Sequence, residues 1–388
     1  MPFADTITID ALETDPFPIY ARLRAEAPIA PVPAANCWFA TRWDDIQTIS
    51  RHADFTSASD DAPVNDAFGR PNILTTEGPT HRAIRDGIEP GYRPRPVAQI
   101  TEPLVRPLAE KQLEHFLSTG ETDLMAGYFE PVSSLALARS LGIMDVDGPT
   151  LRGWFHGLCQ GAINFERDPA RQAICDATVE QIEAHVRPLL ARLRATPDSS
   201  PLSHMLHAGM EPGQSRPDDW ILPTLKVTLL GGMQEPGHAA GSTLAGLLAD
   251  PAQIGTVREE RSLIPQAIDE GLRWVAPIGT FMRTALVETE VAGIPIPKGA
   301  AVSLILASAN RDETKFRNPD RFDLHRADGA HVSFGLGSHF CVGRWFAKAQ
   351  VEILLNVLLD ALPDLQLAAP PVFRGWEFRA PLALRIIR

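Results

Sequence analysis

The run Phe334-Gly335-Leu336-Gly337-Ser338-His339-Phe340-Cys341-Val342-Gly343-Arg344 restricts this chain more than any other segment. It is a glycine-punctuated loop that delivers one cysteine to the start of an apolar helical pattern, Val342 to Leu355. Gly335 and Gly337 permit tight turns and let backbone approach a large flat partner. Cys341 falls where helix N–H groups and the positive end of the helix dipole point, a setting that favours thiolate over thiol. The plainer alternative is a buried free cysteine in a turn.

Helical periodicity dominates the remainder. It predicts helices over Asp15 to Ala25, Leu104 to Leu117, Leu124 to Leu141 and Thr178 to Arg194. A long one runs from Asp218 to Ala249, and another lies between Pro265 and Pro277. Short alternating runs from Phe281 to Leu306, with glycine and proline turns, predict a small β region, and Leu382 to Ile387 a second. No repeat or low-complexity linker divides the chain. The expected fold class is therefore mainly α with a small β-rich part, as one domain over residues 1–388.

Composition excludes several functions. The net charge of −12 argues against nucleic-acid binding. Cys37, Cys159, Cys175 and Cys341 form neither a CxxC motif nor a disulfide framework, which suits a reducing cytoplasm. The acidic N-terminus has no signal-like apolar core, and no apolar run reaches bilayer length, so no membrane association is expected.

Three groups of polar residues have helical spacing. Glu270 and Arg273 share a helix face, as do His81 and Arg85. Alone, the first pair reads as a surface ion pair of little energetic weight and the second as solvated surface cations. In the long central pattern, Gly231-Gly232-Met233-Gln234-Glu235-Pro236-Gly237-His238 predicts a kink, because Pro236 lacks a donor and crowds the preceding turn. Apolar surroundings there would raise the carboxyl pKa of Glu235 towards the range where it both takes and gives a proton near neutral pH.

Taken together, the Cys341 loop, the E-x-x-R pattern of Glu270 and Arg273, the turn Pro319-Asp320-Arg321-Phe322 and the H-x-x-x-R pattern of His81 and Arg85 resemble the cytochrome P450 family. The resemblance spans nearly the whole chain, from Asp15-Pro16 to the C-terminal strand. It implies a helical prism with a small β part. Haem b would lie between the central helix and the cysteine-bearing helix, with Cys341 as thiolate ligand to the iron. Phe334 and Gly335 would belong to the haem-binding loop, and His81, Arg85, Arg283 and His339 would face the haem propionates. Arg321 would join Glu270 and Arg273 in a buried triad that fixes the loop. Most of the family carries an acid–threonine pair in the central helix for proton relay; here Gln234 and Glu235 stand in its place. The alternative is that both face away and the helix is merely broken.

That Gln-Glu pair and the segments Gly271-Leu272-Arg273-Trp274 and Gly375-Trp376-Glu377-Phe378-Arg379 resemble the bacterial branch that O-demethylates the lignin-derived methoxyphenols guaiacol and syringol. By position the substrate pocket would be lined by Phe68, Leu74, Ala162, Val227, Leu230, Gly231 and Phe378. Ala162 falls where the guaiacol type has a phenylalanine, so syringol is favoured; a register slip of three would put Phe165 there instead. The resemblance also implies an electron-donating ferredoxin or flavin/iron-sulfur reductase, or hydrogen peroxide as oxidant. Arg82, Arg93, Arg95, Arg344 and Lys348 would steer an acidic donor. The competing expectations are a hydroxylase of another small apolar compound such as a terpene, and a non-catalytic haem protein.

Overall fold

The computed structural model describes residues 1–387. The expected class holds: helices make most of the structure, and among the described residues the strands form one five-stranded sheet and three two-stranded pieces. The five-stranded sheet runs in the spatial order Ile29–Val32, Cys37–Ala40, Ala301–Ile305, Thr280–Ala285, Phe55–Thr56. All neighbours are antiparallel except Cys37–Ala40 with Ala301–Ile305. The remaining strands form small two-stranded pieces. No helix among the described residues is long and apolar enough to cross a membrane.

Several predicted helices extend beyond their expected bounds. Leu104 to Leu117 is the middle of Pro94–Thr119, which holds Pro103 and Pro107 within it. Thr178 to Arg194 becomes Pro169–Ala195, capped by the Asp168 carboxylate on the Ala170 N–H. Leu124 to Leu141 opens with a π-turn, Met125–Phe129, before Glu130–Leu141. The helix after the cysteine starts later than expected, at Arg344, and runs to Ala361.

The long central pattern is two helices, Asp218–Met233 and Glu235–Leu248. Gln234 is the joint, with φ −109° and ψ −24°. Pro236 sits in the first turn of the second helix, where its missing N–H leaves nothing unsatisfied. The Ser134 hydroxyl donates to the Met233 carbonyl beside the joint (3.2 Å). Gly237 follows because backbone packs there: a Cβ would stand 2.8 Å from the Phe129 carbonyl oxygen. The second half is buried along nearly its whole length and packs on Arg344–Ala361 and Ile264–Trp274. Each of these three helices contributes residues to the wall of the cavity described next.

Candidate functional site

A cavity of about 390 Å³ lies between the broken central helix and the cysteine loop. Val227, Leu230, Gly231, Gly232 and Glu235 line one side. Phe334, Gly335, His339, Phe340, Cys341 and Val342 line the other. The strand Thr280–Ala285 contributes Phe281 and Arg283, and Leu74, Ala162, Phe165, Glu377 and Phe378 complete the wall. Apolar side chains around a few polar groups are the usual make-up of a small-molecule site.

The loop is built by its glycines and pinned from three directions. Gly335 and Gly337 have φ of +74° and +66°, the left-handed region in which a side chain is strained. The Cys341 N–H donates to the Phe334 carbonyl (2.8 Å), closing the loop. Arg85 donates to the carbonyls of Ser338 (3.1 Å) and Phe340 (3.0 Å), and Arg344 to that of Cys341 (2.9 Å). Behind it, Asn310 accepts from the Val332 N–H (2.9 Å) and donates to Ser333 Oγ (2.7 Å). Ser333 in turn donates to the Leu272 carbonyl (2.6 Å).

Burial pushes the Cys341 thiol up, while the N–H groups of Gly343 and Arg344 pull it down. The helix-dipole argument taken alone expects thiolate, so in the bare site desolvation outweighs it. Iron binding at the sulfur would remove the proton outright.

Glu270 and Arg273 form a bidentate buried pair at 2.7 and 2.8 Å. The second arginine on Glu270 is Arg326, not Arg321: its Nε lies 3.1 Å from both carboxylate oxygens. This corrects the family-based assignment. Phe322 turns inward and is nearly buried, so its neighbour Arg321 points outward, 71% exposed, and meets only Asp250 at 3.5 Å. Arg321 contributes its carbonyl, which accepts from Arg273 (3.0 Å) and Arg326 (2.9 Å). A turn closed by the Arg326 N–H on the Asp323 carbonyl swings Arg326 back. The Arg326→Ala protein is expected to lose about 3–5 kcal/mol by removing one partner from a buried charge cluster. The Arg321→Ala protein should stay within about 0.5 kcal/mol. Urea unfolding followed by fluorescence measures both, and equal losses would refute the correction.

At the far end of the cavity His339 stacks on His81 with ring centroids 4.1 Å apart. His81 is behind His339 and does not reach the cavity wall. Both nitrogens of His339 and Nε2 of His81 are buried without a hydrogen bond, and His339 Nε2 lies 3.8 Å from the Glu77 carboxylate. Burial, then His81 and Arg283, push His339 down to about 4. Burial pushes Arg283 down to about 10; its guanidinium lies 4.2 Å from the Phe281 ring and donates to the Met282 carbonyl (2.9 Å). The exposed Glu77 carboxylate is the anion beside this cluster, and the buried nitrogens still lack hydrogen-bond partners. With Cys341 across the cavity, the residues fit a flat group that carries a metal centrally and carboxylates at its edge.

Glu235 is on the wall, and burial pushes its carboxyl up to about 7, against the pull of His238 and the N–H groups of Glu235 and Gln234. Gln234, expected beside it in catalysis, is off the wall: successive helical residues diverge by about 100°, and its amide is buried without partners. Phe68 is also displaced. It ends the short helix Pro63–Phe68 with its ring 1% exposed in the main core, and Ala62, Pro63 and Val64 take the wall. Ala162 and Phe165 both line the cavity, so the two registers considered for them are not exclusive. Of the expected basic group, Arg82, Arg93 and Arg95 are exposed, whereas Lys348 is tied to Asp269 at 2.7 Å. Arg326 and Glu377 were not singled out as site residues by the sequence. The only signal for Glu377 is that it precedes Phe378.

Residues 256–362 match the family model described as Cytochrome P450. The chain is 29% identical to cytochrome P450 107B1 of Saccharopolyspora erythraea, over 95% of this chain and 93% of that protein. It is 28% identical to cytochrome P450-terp of a Pseudomonas species, over 92% and 89% respectively. Among solved structures it resembles P450BioI in complex with acyl carrier protein bearing hexadec-9Z-enoic acid. The TM-score is 0.86 at 25% identity, covering 98% of this chain and 100% of that one.

Proposed function

We propose that this chain, which is similar to cytochrome P450 proteins in sequence and fold, is a haem-thiolate oxygenase that O-demethylates a lignin-derived methoxyphenol, syringol before guaiacol, releasing formaldehyde. The observation that carries the reading is that Glu235 and Cys341 line the same apolar cavity. Proteins of this family bind haem b through a cysteine thiolate, and Cys341 is the cysteine that lines this cavity. Arg85, Arg283 and His339, which all line the cavity, would hold the propionates, and Arg85 also holds the loop by its carbonyls. The bound haem supplies the oxygen activation and one-electron chemistry.

The chain's own residues supply the rest. Phe165, Phe281 and Phe378 present rings to a small flat aromatic substrate. The absent side chains of Gly231 and Gly232 leave space beside Glu235. The buried carboxyl of Glu235 can take a proton from one oxygen of hydrogen peroxide and hand it to the other. Electrons for the dioxygen route would come from a ferredoxin or a flavin/iron-sulfur reductase, steered by the exposed Arg82, Arg93 and Arg95. The decisive experiment incubates the haem-loaded protein with syringol and with guaiacol and assays formaldehyde, once with a reductase system and once with peroxide. The apolar wall also accommodates hydroxylation of another small compound such as a terpene. Shifts of the haem spectrum across a substrate panel separate the two readings.

Ala162 bears on the choice of phenol. A ring added to a closed pocket overfills it, which costs about 1–3 kcal/mol. In the Ala162→Phe protein syringol binding should weaken about tenfold or more, roughly 1.4 kcal/mol per decade, while guaiacol binding is spared. Spectral titration of both phenols measures it. Equal loss for both would mean general damage to the pocket, and no loss would remove the case for syringol.

A further inference from the structure

Beyond the cavity, Glu235 has a polar neighbourhood that the reaction as described does not use. His238 follows one turn along the same helix and so shares its face. His238 Nδ1 and Glu235 Oε1 are both buried without partners. The other ring nitrogen, Nε2, lies 3.8 Å from Glu130 Oε1. Glu130 begins the helix Glu130–Leu141, and its second oxygen is 3.1 Å from Nε of Arg152. Arg152 is half exposed, whereas the side chains of Glu130 and His238 are about one-tenth exposed. The groups therefore step from solvent to the cavity in the order Arg152, Glu130, His238, Glu235.

We propose that Glu130 and His238 form a proton supply line from the surface beside Arg152 to Glu235. A proton enters on the Glu130 carboxylate and passes to His238 Nε2. The ring releases its other proton from Nδ1 to Glu235. One proton enters and one leaves, no bond between heavy atoms changes and no electron moves. The remaining charged or titratable groups that face this line are His156, beside Glu130, and Cys159, beside Glu235. Burial pushes Glu130 up, but His238, Arg152 and His156 together hold it below the usual carboxylate range, so the entry group is ionised and ready to accept.

The alternative role for the pair is to brace the helix joint. Stoichiometry separates the two. Reductive use of dioxygen consumes two protons from solvent for each substrate oxidised, whereas hydrogen peroxide brings its own two. A supply line is needed only in the first case; a brace is needed in both. The inference rests on the reading of Glu235 as the cavity's proton carrier, so Glu235→Ala is the control.

Haem-loaded Glu130→Gln and His238→Gln proteins are assayed for formaldehyde from syringol, with dioxygen plus a surrogate ferredoxin and reductase, and separately with peroxide. Dioxygen-driven turnover should fall about tenfold or more and peroxide-driven turnover stay within about twofold. Glu235→Ala should lower both. Infrared titration of the resting haem protein gives a readout without turnover. Because His238 lowers the carboxyl pKa of Glu235, its loss in His238→Gln should move the protonated-carboxyl band to a higher midpoint. Parallel loss in both assays, loss in neither, or an unmoved midpoint would overturn the proposal. If Glu235→Ala alone is impaired, only the supply line fails. If Glu235→Ala is unimpaired, the reading of the cavity fails with it. Should Glu130→Gln fail to load haem, His238→Gln carries the same test.

Discussion

Replacing Cys341 with serine is expected to abolish the red-shifted Soret band of thiolate-ligated ferrous–CO haem. Cys37→Ser, Cys159→Ser and Cys175→Ser should each retain it. The argument is positional. Among the described residues all four cysteines are free thiols, but only Cys341 lies in the cavity wall, opposite the helix joint. Cys37 is in a strand packed into a secondary core, and burial then the Glu377 carboxylate push its thiol far up. Cys175 packs against Gly161, where an added Cβ would stand 2.5 Å from its sulfur, and burial pushes it up to about 11. Cys159 is held up by burial and by Glu235. A serine oxygen at 341 is a poor ligand for this purpose, so the band reports the sulfur itself. An unaltered spectrum in Cys341→Ser would sink the assignment of the haem ligand, the propionate partners and the pocket together.

The cysteine loop was legible because it is contiguous. Its glycines, its cysteine and the helix after it are local chemistry, and local chemistry survives in a sequence. The Glu270–Arg273 pair was legible for a similar reason, since three residues on a helix always share a face. The third member of that cluster was not. Whether Arg321 or Arg326 reaches Glu270 depends on which way a five-residue turn faces, and burial of Phe322 decides it. Phe68 failed on the same ground. An aromatic residue near a cavity has two places to bury its ring, and the core offered the drier one. The extent of Pro94–Thr119 was hidden because the expected helix began only after Pro103, although long packed helices tolerate an internal proline at some cost. Glu130 gave no signal at all: it meets His238 only because two helices more than a hundred residues apart in the chain pack together.

The central helix joint was readable from Pro236, but its consequence is energetic and needs the fold. In the Glu235→Ala protein, peroxide-driven demethylation is expected to fall by at least about tenfold, a floor below the roughly 100- to 10,000-fold that general acid–base transfer supplies. Haem content should be unchanged, because Glu235 is far in sequence from the loop that pins Cys341 and makes none of its hydrogen bonds. The pH dependence gives an independent check. Burial raises this carboxyl to about 7, and the step that opens the sequence needs the ionised form to accept a proton. The peroxide-driven rate should therefore rise with pH through about 7 in the native protein, and that limb should be missing in Glu235→Gln. Stability must move the opposite way. The folded protein holds this proton to higher pH than the unfolded chain does, so stability is greatest below the ordinary carboxyl range and declines as pH rises from there through about 7. Glu377, likewise raised to about 7 by burial, adds a second decline over the same window. Removing either carboxyl should flatten that slope, and only removal of Glu235 should flatten the rate profile as well. If Glu235→Ala demethylates within a factor of two of the native protein, the carboxyl carries no proton in the reaction, and the helix joint serves only to open space in the cavity.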